Sequence, residues 1–554
     1  MKPKYTTLVF LTVLAMVITA CGGGVGESPA ATDAPANTEP IVLNIGWLGE
    51  PDTLNPSYAF LTEAYIIFDL IYQPLVTESI SGEYVGALAK DWGVSADSLT
   101  WTFTLKDGLK WHNGEDVTAE QVAWTIDAVI TNPDGWAALS GYVGGFVEAT
   151  APDAKTIQIV TEYPIANMEY RLSFLYAVYP PDFESFATPE DLQNFANDKP
   201  VGTGMFKVST FDKDAGVLIL DANKDFVDGA PFIDQAIYQR FDTSDAMVQA
   251  LKAGDVDVLS DVPASAFETV KGFEGVTTTS INGRSFEELI INSVSEENDP
   301  APTGNPALKD PAVRLALETA INRVDIIDIV LQGLGSPGDS IVPPTLGGGF
   351  WYKSDLAVPE FNIDAANQIL EDAGYVRGTD GVREKEGLRL DFRLQFPSDS
   401  ANYPRIADLL ADWFSQIGVK ATPEAVDPDS LIATTTAVGD YDLVIWGWGA
   451  DPDPDFILSV LLTDQFVPGG WSDSGYHNPE YDQLYLDQQA AVNREDRQAI
   501  IYKMQEIAYN DRPYIVLYYN KALQAYRSDR FTGFIESPLG IDDDSSLGQV
   551  KPVQ

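Results

Sequence analysis

The sequence predicts an α/β protein with at least two compact units, and three observations support this. Its 554 residues are too many for a single hydrophobic core. The hydrophobic fraction of 45% and the aromatic fraction of 11% are typical of globular chains. Strand and helix signals alternate along the chain, as they do in α/β proteins. No repeat of fixed period is found, so solenoids and propellers are not expected.

The clearest strand signals have a period of two. Residues 42–47 form one such segment, and in residues 99–105 large apolar side chains alternate with threonines. This spacing places one apolar face of each strand on a core. Lys106, Asp107 and Gly108 supply a turn after the second strand.

Helix signals follow the same order along the chain. Thr118 and Gln121 form a capping-box pattern, and apolar residues at helical spacing follow them. Gly374 and Gly418 end two further apolar stripes, and the second stripe leads into a predicted strand at residues 419–426. Long helices are predicted at residues 312–332 and 494–510.

The amino terminus has the composition of an export signal. Lys2 and Lys4 precede an apolar run that reaches Ala20, and this run is short for a bilayer core of ~30 Å. Cys21, the single cysteine of the chain, follows where a bacterial lipoprotein signal places its acylated residue. We therefore predict a signal peptide at residues 1–20, lipidation of Cys21 and a flexible Gly-, Ala- and Pro-rich tether at residues 21–40.

The chain is strongly acidic, with a formal net charge of −49. Cleavage before Cys21 would remove two lysines and no acidic residue, which takes −49 to −51. Such a surface repels nucleic acid and anionic lipid. Solubility outside the cell is the preferred explanation, and attraction of cationic ligands is the alternative.

The motifs of common enzymes and metal sites are absent from the sequence. Two histidines and one cysteine exclude His/Cys metal sites and cysteine nucleophiles, and there is no GxSxG, HExxH or P-loop. The GxGxxG letters at residues 333–338 follow a helix instead of a strand. Asp451, Asp453 and Asp455 begin like a calcium loop, but Phe456 replaces the required glycine. We predict no enzymatic activity, no cofactor and no metal.

Eight segments occur in the order of a known family. From about residue 42 to residue 534 the chain resembles the extracellular solute-binding proteins of peptide-type ABC importers, bacterial family 5. The segments are EPDTLNPS (50–57), GLKWHNGEDVTAEQVAWTI (108–126), PVGTGMFKV (200–208), ALKAGDVDVL (250–259), VRLALETAINRVDII (313–327), AANQILEDAGY (365–375), YDLVIWGWGADPDPDF (441–456) and GYHNPEYDQL (475–484).

The resemblance implies a two-lobed, periplasmic-binding-protein-like α/β fold with an additional inserted subdomain. Lobe I is predicted at residues 41–71, 200–293 and 513–554, the inserted subdomain at 72–199, and lobe II at 294–512. The lobes would close on a ligand by a hinge. Gly202 and Gly204 supply backbone angles that a crossover between lobes would need.

The resemblance also implies where a ligand binds. Gly447, Trp448 and Gly449 would run alongside a bound peptide, and Asp451 would accept its α-ammonium group. The alternative role for Asp451 is to cap a following helix. Tyr58, Phe60, Leu61 and Thr62 would form the other wall, and Trp446 and Trp448 would stack on the ligand, although we expect one of these two tryptophans to point into the core.

The expected function is that of the substrate-binding component of an ABC importer. It would capture a short peptide, deliver it to the permease subunits and sit as a lipid-anchored monomer on the outer face of the cytoplasmic membrane. Ile445 stands where some peptide-binding relatives carry an arginine for the peptide carboxylate. An oligosaccharide is therefore an alternative ligand, whereas nickel is disfavoured by the histidine count. A secreted hydrolase of peptides or glycans is the alternative class of protein.

Overall fold

The computed structural model describes residues 39–294, 303–435, 438–538 and 540–553. The predicted signal peptide, Cys21 and nearly all of the predicted tether lie outside these residues. In the part that is described, no helix combines the length and the apolarity needed to cross a bilayer.

The first segment, up to residue 294, carries strands and helices in alternation. Its strands are β1 (Val42–Trp47), β2 (Val76–Glu78), β3 (Tyr84–Gly86), β4 (Ala89–Val94), β5 (Thr100–Leu105), β6 (Phe146–Thr150), β7 (Thr156–Thr161), β8 (Phe206–Asp212), β9 (Val217–Ala222), β10 (Gln235–Arg240), β11 (Val258–Leu259) and β12 (Val276–Ile291). Its helices are α1 (Thr62–Ile71), α2 (Ala119–Thr131), α3 (Met168–Ser173), α4 (Pro180–Phe183), α5 (Pro189–Gln193), α6 (Ser244–Ala253) and α7 (Ala264–Lys271).

The second segment, residues 303–512, is richer in helix. Its strands are β13 (Gly335–Pro337), β14 (Val376–Arg377), β15 (Arg383–Lys385), β16 (Leu388–Arg389), β17 (Asp391–Pro397), β18 (Lys420–Val426) and β19 (Leu443–Gly449). Its helices are α8 (Pro311–Thr319), α9 (Arg323–Asp325), α10 (Ile363–Asp372), α11 (Tyr403–Gln416), α12 (Pro428–Thr435), α13 (Asp455–Ser459), α14 (Pro479–Ala490) and α15 (Arg494–Asp511). The last segment holds β20 (Tyr514–Arg527), β21 (Phe531–Thr532), α16 (Asp544–Leu547) and β22 (Lys551–Pro552).

One large sheet connects the two halves of the molecule. Its strands lie in the order β18-β17-β19-β12-β20-β11-β1-β10-β9-β8, and β13 adds to β20. The long strands β12 and β20 pair antiparallel from Val276 with Arg527 to Ile290 with Tyr514, with a register break between Asn282 and Phe286. On one side of this break the pair borders β11, and on the other side it borders β19.

Helices cover both faces of the β19 half of the sheet. Leu443 and Ile445 join a core with α8, α10 and α11. Val444, on the opposite face, joins a core with α13, α14 and α15. In the other half, one core joins β1, β10 and α1 to a second sheet, β4-β5-β7-β6, and to α2. The mixed α/β content is the predicted one, whereas the lobe boundaries stay a prediction.

Most of the predicted elements are confirmed. β1, β5, α10, α11, β18 and α15 form where the periodicity places them. Thr118 accepts a hydrogen bond from the Gln121 amide at 3.3 Å and the Gln121 side chain accepts one from Thr118 in return, which is a complete capping box. Gly114, just before this helix, has a φ of +91°, a left-handed conformation that favours glycine.

The single helix predicted at residues 312–332 is wrong. α8 ends at Thr319, and Asn322 begins α9 by accepting a hydrogen bond from the Asp325 amide. A π-helical turn, Ile326–Val330, follows. The apolar spacing is compatible with one helix, but the side chain of Asn322 offers the backbone a competing hydrogen bond.

Gly202 and Gly204 are needed for a different reason from the predicted one. Neither has a positive φ. A Cβ on Gly202 would lie 1.9 Å from the Ile71 carbonyl oxygen, and a Cβ on Gly204 would lie 2.3 Å from that of Leu70. His112 fixes the same crossing, because its Nδ1 accepts the Gly202 amide at 3.2 Å while its Nε2 lies 3.0 Å from the Gly204 carbonyl oxygen. Burial lowers the pKa of His112 to about 4, so the ring is neutral.

We predict that Gly202→Ala lowers the melting temperature, because the carboxyl end of α1 must move to admit the new methyl group. Gly93→Ala is the matched control, since a Cβ on Gly93 meets nothing within 4 Å. Differential scanning calorimetry of both variants checks this. Equal melting temperatures for the two variants would show that the close approach to α1 is not required.

Candidate functional site

A cavity of about 590 Å³ lies among three parts of the chain. One wall comes from α1 and from residues 537–538 and 543–545, a second from β2 and from the segment after α3, and a third from residues 450–452. Its lining includes Phe60, Thr62, Tyr65, Asp69, Glu78, Ile80, Tyr142, Phe174, Tyr176, Arg284, Ala450, Asp451, Asp543 and Asp544. These parts belong to both predicted lobes and to the predicted inserted subdomain.

The pairing of β19 with β12 brings Asp451 to this cavity. Gly447 pairs with Glu287 and Gly449 with Ser285, and the Ala450 amide donates to the Arg284 carbonyl oxygen at 2.8 Å. The next residue is Asp451, whose Oδ2 accepts a hydrogen bond of 2.8 Å from the Tyr170 hydroxyl of α3. Burial and the nearby charges of Asp453 and Asp455 raise the pKa of Asp451, while this hydrogen bond and Arg284 oppose the rise.

Of the three aspartates after β19, only Asp451 lines the cavity. Asp453 forms a buried ion pair with Arg497, in which the two carboxylate oxygens lie 2.5 and 2.6 Å from guanidinium nitrogens. The Gln488 side chain donates to Asp455 at 2.7 Å. α13 has Pro454 as its N-cap, and Asp453 accepts the Asp455 amide. Asp451 therefore does not cap this helix, and the alternative role is excluded.

A row of aromatic rings runs from Asp451 to a second carboxyl group. The centroids of neighbouring rings in the row are 4.8 to 6.5 Å apart. At the far end of the row, the Tyr176 hydroxyl donates a hydrogen bond of 2.7 Å to Asp69. Such spacings are those of interacting rings. The row consists of Tyr170, Tyr142, Phe174, Tyr65 and Tyr176, of which all but Tyr170 line the cavity.

The far end of the cavity is acidic. Asp69 exposes its side chain to the cavity. Partial desolvation by the surrounding protein and the negative charges of Asp544 and Asp543 raise its pKa from 3.8 to about 8. Burial and Asp543 raise the pKa of Asp544 to about 7. Asp543 caps α16 by accepting the Ser546 amide at 2.8 Å.

Arg284 is the only basic residue in the described lining of the cavity. Its Nη2 lies 2.6 Å from an oxygen of Glu78, and both side chains are largely buried. Only this nitrogen is paired, because Arg284 Nε and Nη1 are buried without a hydrogen-bond partner among the described residues. Ile445 is fully buried in the core beside α11 and lines neither this cavity nor the second one described below.

Most of the predicted binding residues line one of two cavities, and Tyr58 and Leu61 line neither. Phe60, Thr62 and Asp451 line the first. Tyr58 and Leu61 lie outside its lining: Tyr58 packs edge-on against Phe60 at 5.0 Å, and Leu61 is the N-cap of α1.

The second cavity, of about 370 Å³, is lined by the glycine- and tryptophan-rich segment itself. Trp446, Gly447, Trp448 and Gly449 form one side of it, and Glu287, Tyr403 and Asn520 face them. Tyr403 donates a hydrogen bond to Glu287, and so does the Asn520 side chain, at 3.2 Å.

The expectation that one of the two tryptophans points into the core is wrong. Side chains two residues apart share a face of a strand, and both rings are partly buried against the same core, which lies beside α13 and α14. Trp448 also contacts Phe456, with 5.9 Å between the ring centroids.

Sequence reasoning missed Asp69, Asp543, Asp544 and the aromatic row. Asp69 had a signal, because it is an acidic residue within an otherwise apolar run, residues 66–71. The convergence of α1 with residues 543–545 is a long-range contact, and no local pattern indicates it. Among the described residues, no group of His, Cys, Asp and Glu has the arrangement of a metal site.

The fold and the cavity among its parts define a two-lobed binding protein. A family model described as bacterial extracellular solute-binding proteins, family 5 Middle, matches residues 83–467, which is well over half of the chain. The chain belongs to the family 5 extracellular solute-binding proteins.

Individual relatives agree with this assignment. The chain is 25% identical over 537 residues to the oligopeptide-binding protein AppA of Bacillus subtilis, with 94% of each chain covered. It is 26% identical over 483 residues to heme-binding protein A of Haemophilus influenzae, with 82% of each covered. The crystal structure of the ABC transporter substrate-binding protein CtaP of Listeria monocytogenes superposes with a TM-score of 0.78 at 24% identity, covering 93% of this chain and all of that one.

We predict that Asp69→Asn stabilises the protein at pH 8 and has little effect near pH 4. The folded-state pKa of Asp69 is raised, so the folded protein binds more protons than the unfolded chain between about pH 4 and pH 8. The stability contribution of Asp69 therefore falls as the pH rises through this window, and Asp69→Asn removes that loss.

Melting temperatures of both proteins from pH 4 to pH 9 test this pH dependence. The control is Asp214→Asn, which removes the same charge from an exposed turn between β8 and β9. A stability difference that does not change with pH would contradict the prediction.

Proposed function

We propose that this chain is the substrate-binding component of an ABC importer and that it binds a short peptide between its lobes. The observation that carries the proposal is Asp451, a half-buried carboxylate that lines the cavity and accepts a hydrogen bond from Tyr170. A carboxylate in such a place pairs well with an α-ammonium group, because hydrogen bonds to charged groups are worth about 1.5–3 kcal/mol.

The free edge of β19 supports an extended ligand. β17 pairs with β19 only at Leu443 and Val444, although β19 continues to Gly449. The remaining backbone groups on that edge face the second cavity, and they could pair with a peptide backbone whatever its sequence. A peptide whose first residue lies at Asp451 could thus continue beside residues 446–449.

The sizes of the cavities favour a small ligand. Volumes of about 590 and 370 Å³ fall within the ~300–1,000 Å³ of common small-molecule pockets. They accommodate a few residues and not a folded partner. The curated relative AppA carries the name of an oligopeptide-binding protein, which agrees with this ligand class.

An oligosaccharide is the second candidate ligand. Trp446 and Trp448 line the second cavity, and aromatic faces stack on apolar faces of sugar rings. We favour the peptide because Asp451 and the free strand edge each match a peptide group.

The predicted export signal and Cys21 support a lipid anchor on the outer face of the cytoplasmic membrane. There the protein, which we propose to be a monomer, would pass its ligand to the permease subunits. We propose that the ligand leaves unchanged. Mass spectrometry of peptide and oligosaccharide pools after incubation distinguishes this from hydrolysis, since a binder returns intact ligand and a hydrolase returns products.

We predict that Asp451→Asn weakens binding of Ala-Ala-Ala by about tenfold to a hundredfold, the range expected for a lost charge-assisted hydrogen bond. Binding of N-acetyl-Ala-Ala-Ala, which has no α-ammonium group, should change much less. Isothermal titration calorimetry measures both affinities.

Asp214→Asn is again the control for the loss of one negative charge, and it should leave both affinities unchanged. If Asp451→Asn weakens the acetylated and the free peptide equally, Asp451 does not hold the α-ammonium group.

A further inference from the structure

We propose that the ligand is recognised at its amino end alone: Asp451 pairs with the α-ammonium group, Arg284 donates hydrogen bonds to a nearby peptide carbonyl oxygen, and the carboxyl end has no ionic partner. The place of the α-ammonium group rests on the proposed function. The role of Arg284 and the unpaired carboxyl end go beyond it. They define the ligand class as peptides whose carboxyl terminus is either free or amidated.

Arg284 has hydrogen-bond donors that the described protein does not use. Its Nη2 lies 2.6 Å from an oxygen of Glu78, whereas its Nε and Nη1 are buried without a partner among the described residues. Buried donors of a charged group are unfavourable when they stay unpaired. Arg284 also lines the first cavity, and 13% of its side chain is exposed. An acceptor atom of a ligand in that cavity would supply the missing partner.

Arg284 and Asp451 lie close together in the fold. The Ala450 amide donates to the Arg284 carbonyl oxygen at 2.8 Å, and standard backbone dimensions then keep the Cα atoms of Arg284 and Asp451 within about 10 Å of each other. The Arg284 charge also opposes the rise in the pKa of Asp451. The first two carbonyl oxygens of a peptide lie within roughly 7 Å of its α-ammonium group. One of them would therefore meet Arg284 while the ammonium group pairs with Asp451.

The carboxylates around Arg284 favour a neutral acceptor over an anionic one. Glu78 pairs with the guanidinium directly, and the same positive charge acts on Asp451 and Asp543. Three carboxylates thus share one positive charge, and a carboxylate of the ligand would be repelled by all three. A carbonyl oxygen accepts hydrogen bonds from the same N–H groups without adding a negative charge.

Neither cavity offers another cation to the carboxyl end of a ligand. Arg284 is the only basic residue in the described lining of the first cavity, and the described lining of the second cavity contains none. The second lining instead includes Glu287 and Asp399. A ligand carboxylate in either place would lie near acidic groups without a compensating charge. Removing its charge should therefore not weaken binding.

The first measurement compares Ala-Ala-Ala with its amide, Ala-Ala-Ala-NH2, by isothermal titration calorimetry. The two ligands differ in the charge of the carboxyl end. We expect the amide to bind as tightly as the free acid or more tightly. An ionic partner for the carboxylate would instead make the amide bind about tenfold or more weakly. That result would overturn the inference and leave the peptide function intact.

The second measurement tests the hydrogen bond from Arg284. In two further ligands, sulfur replaces the oxygen of the first or of the second peptide carbonyl of Ala-Ala-Ala, because sulfur is the weaker acceptor. We expect at least one of them to bind the wild type about threefold or more weakly than Ala-Ala-Ala. This ratio should fall towards one in Arg284→Met, which lacks the donors. It should persist in Arg405→Met, the same change at an exposed position of α11.

Circular dichroism shows whether Arg284→Met is folded. Arg284→Lys keeps a positive charge beside Glu78 and replaces that variant if it is not, and the ratio should fall in it as well. A sulfur effect of equal size in the wild type and the Arg284 variant, or no sulfur effect in the wild type, would overturn the role of Arg284. If none of these peptides binds the wild type, the proposed function fails and the inference falls with it.

Discussion

The pairing of β12 with β20 is the constraint on which the rest of the structure depends. These two strands pass through both halves of the large sheet, so each half takes its position from them. β19 pairs with β12 beyond the register break, and this pairing places residues 446–451 next to both cavities. Arg284, inside the break, reaches Glu78 from the other half. The register break places irregular backbone where the two halves meet. If the angle between the halves changed at this break, the cavity walls of one half would move relative to those of the other.

The acidic groups of the first cavity do not stabilise the folded protein when the cavity is empty. Carboxyl groups that lie close together and lack a cationic partner disfavour one another's charged forms, which agrees with the raised pKa values of Asp69 and Asp544. A structural role for these groups would call for a partner, as Asp453 has in Arg497. Sites that bind ligands tolerate such local cost, because the ligand supplies the missing interaction.

The sequence predicted local features well and long-range ones poorly. Periodicity and capping located β5, α2 and α11, because these elements depend on neighbours three or four residues away. Asn322 broke the predicted long helix, since a side chain that competes for backbone hydrogen bonds carries no periodic signal. Asp451 was predicted from the resemblance of residues 447–451 to a family segment, whereas Asp69 and Asp544 are far apart in the chain and meet only through the fold. The need for glycine at residue 202 likewise came from the carboxyl end of α1, a contact that the local sequence does not show.

The central claim, that a ligand is held between halves of the molecule that move, is tested most directly by an interlobe distance. Cys21 is the single cysteine of the chain, so in a protein that begins after Cys21 spin labels can be placed specifically at Val147→Cys and Val376→Cys, two exposed positions in different halves. Double electron–electron resonance then compares the labels with and without saturating Ala-Ala-Ala. The account predicts that the bound peptide shifts a broad distribution to one shorter, narrower distance. An identical distribution in both states would contradict it.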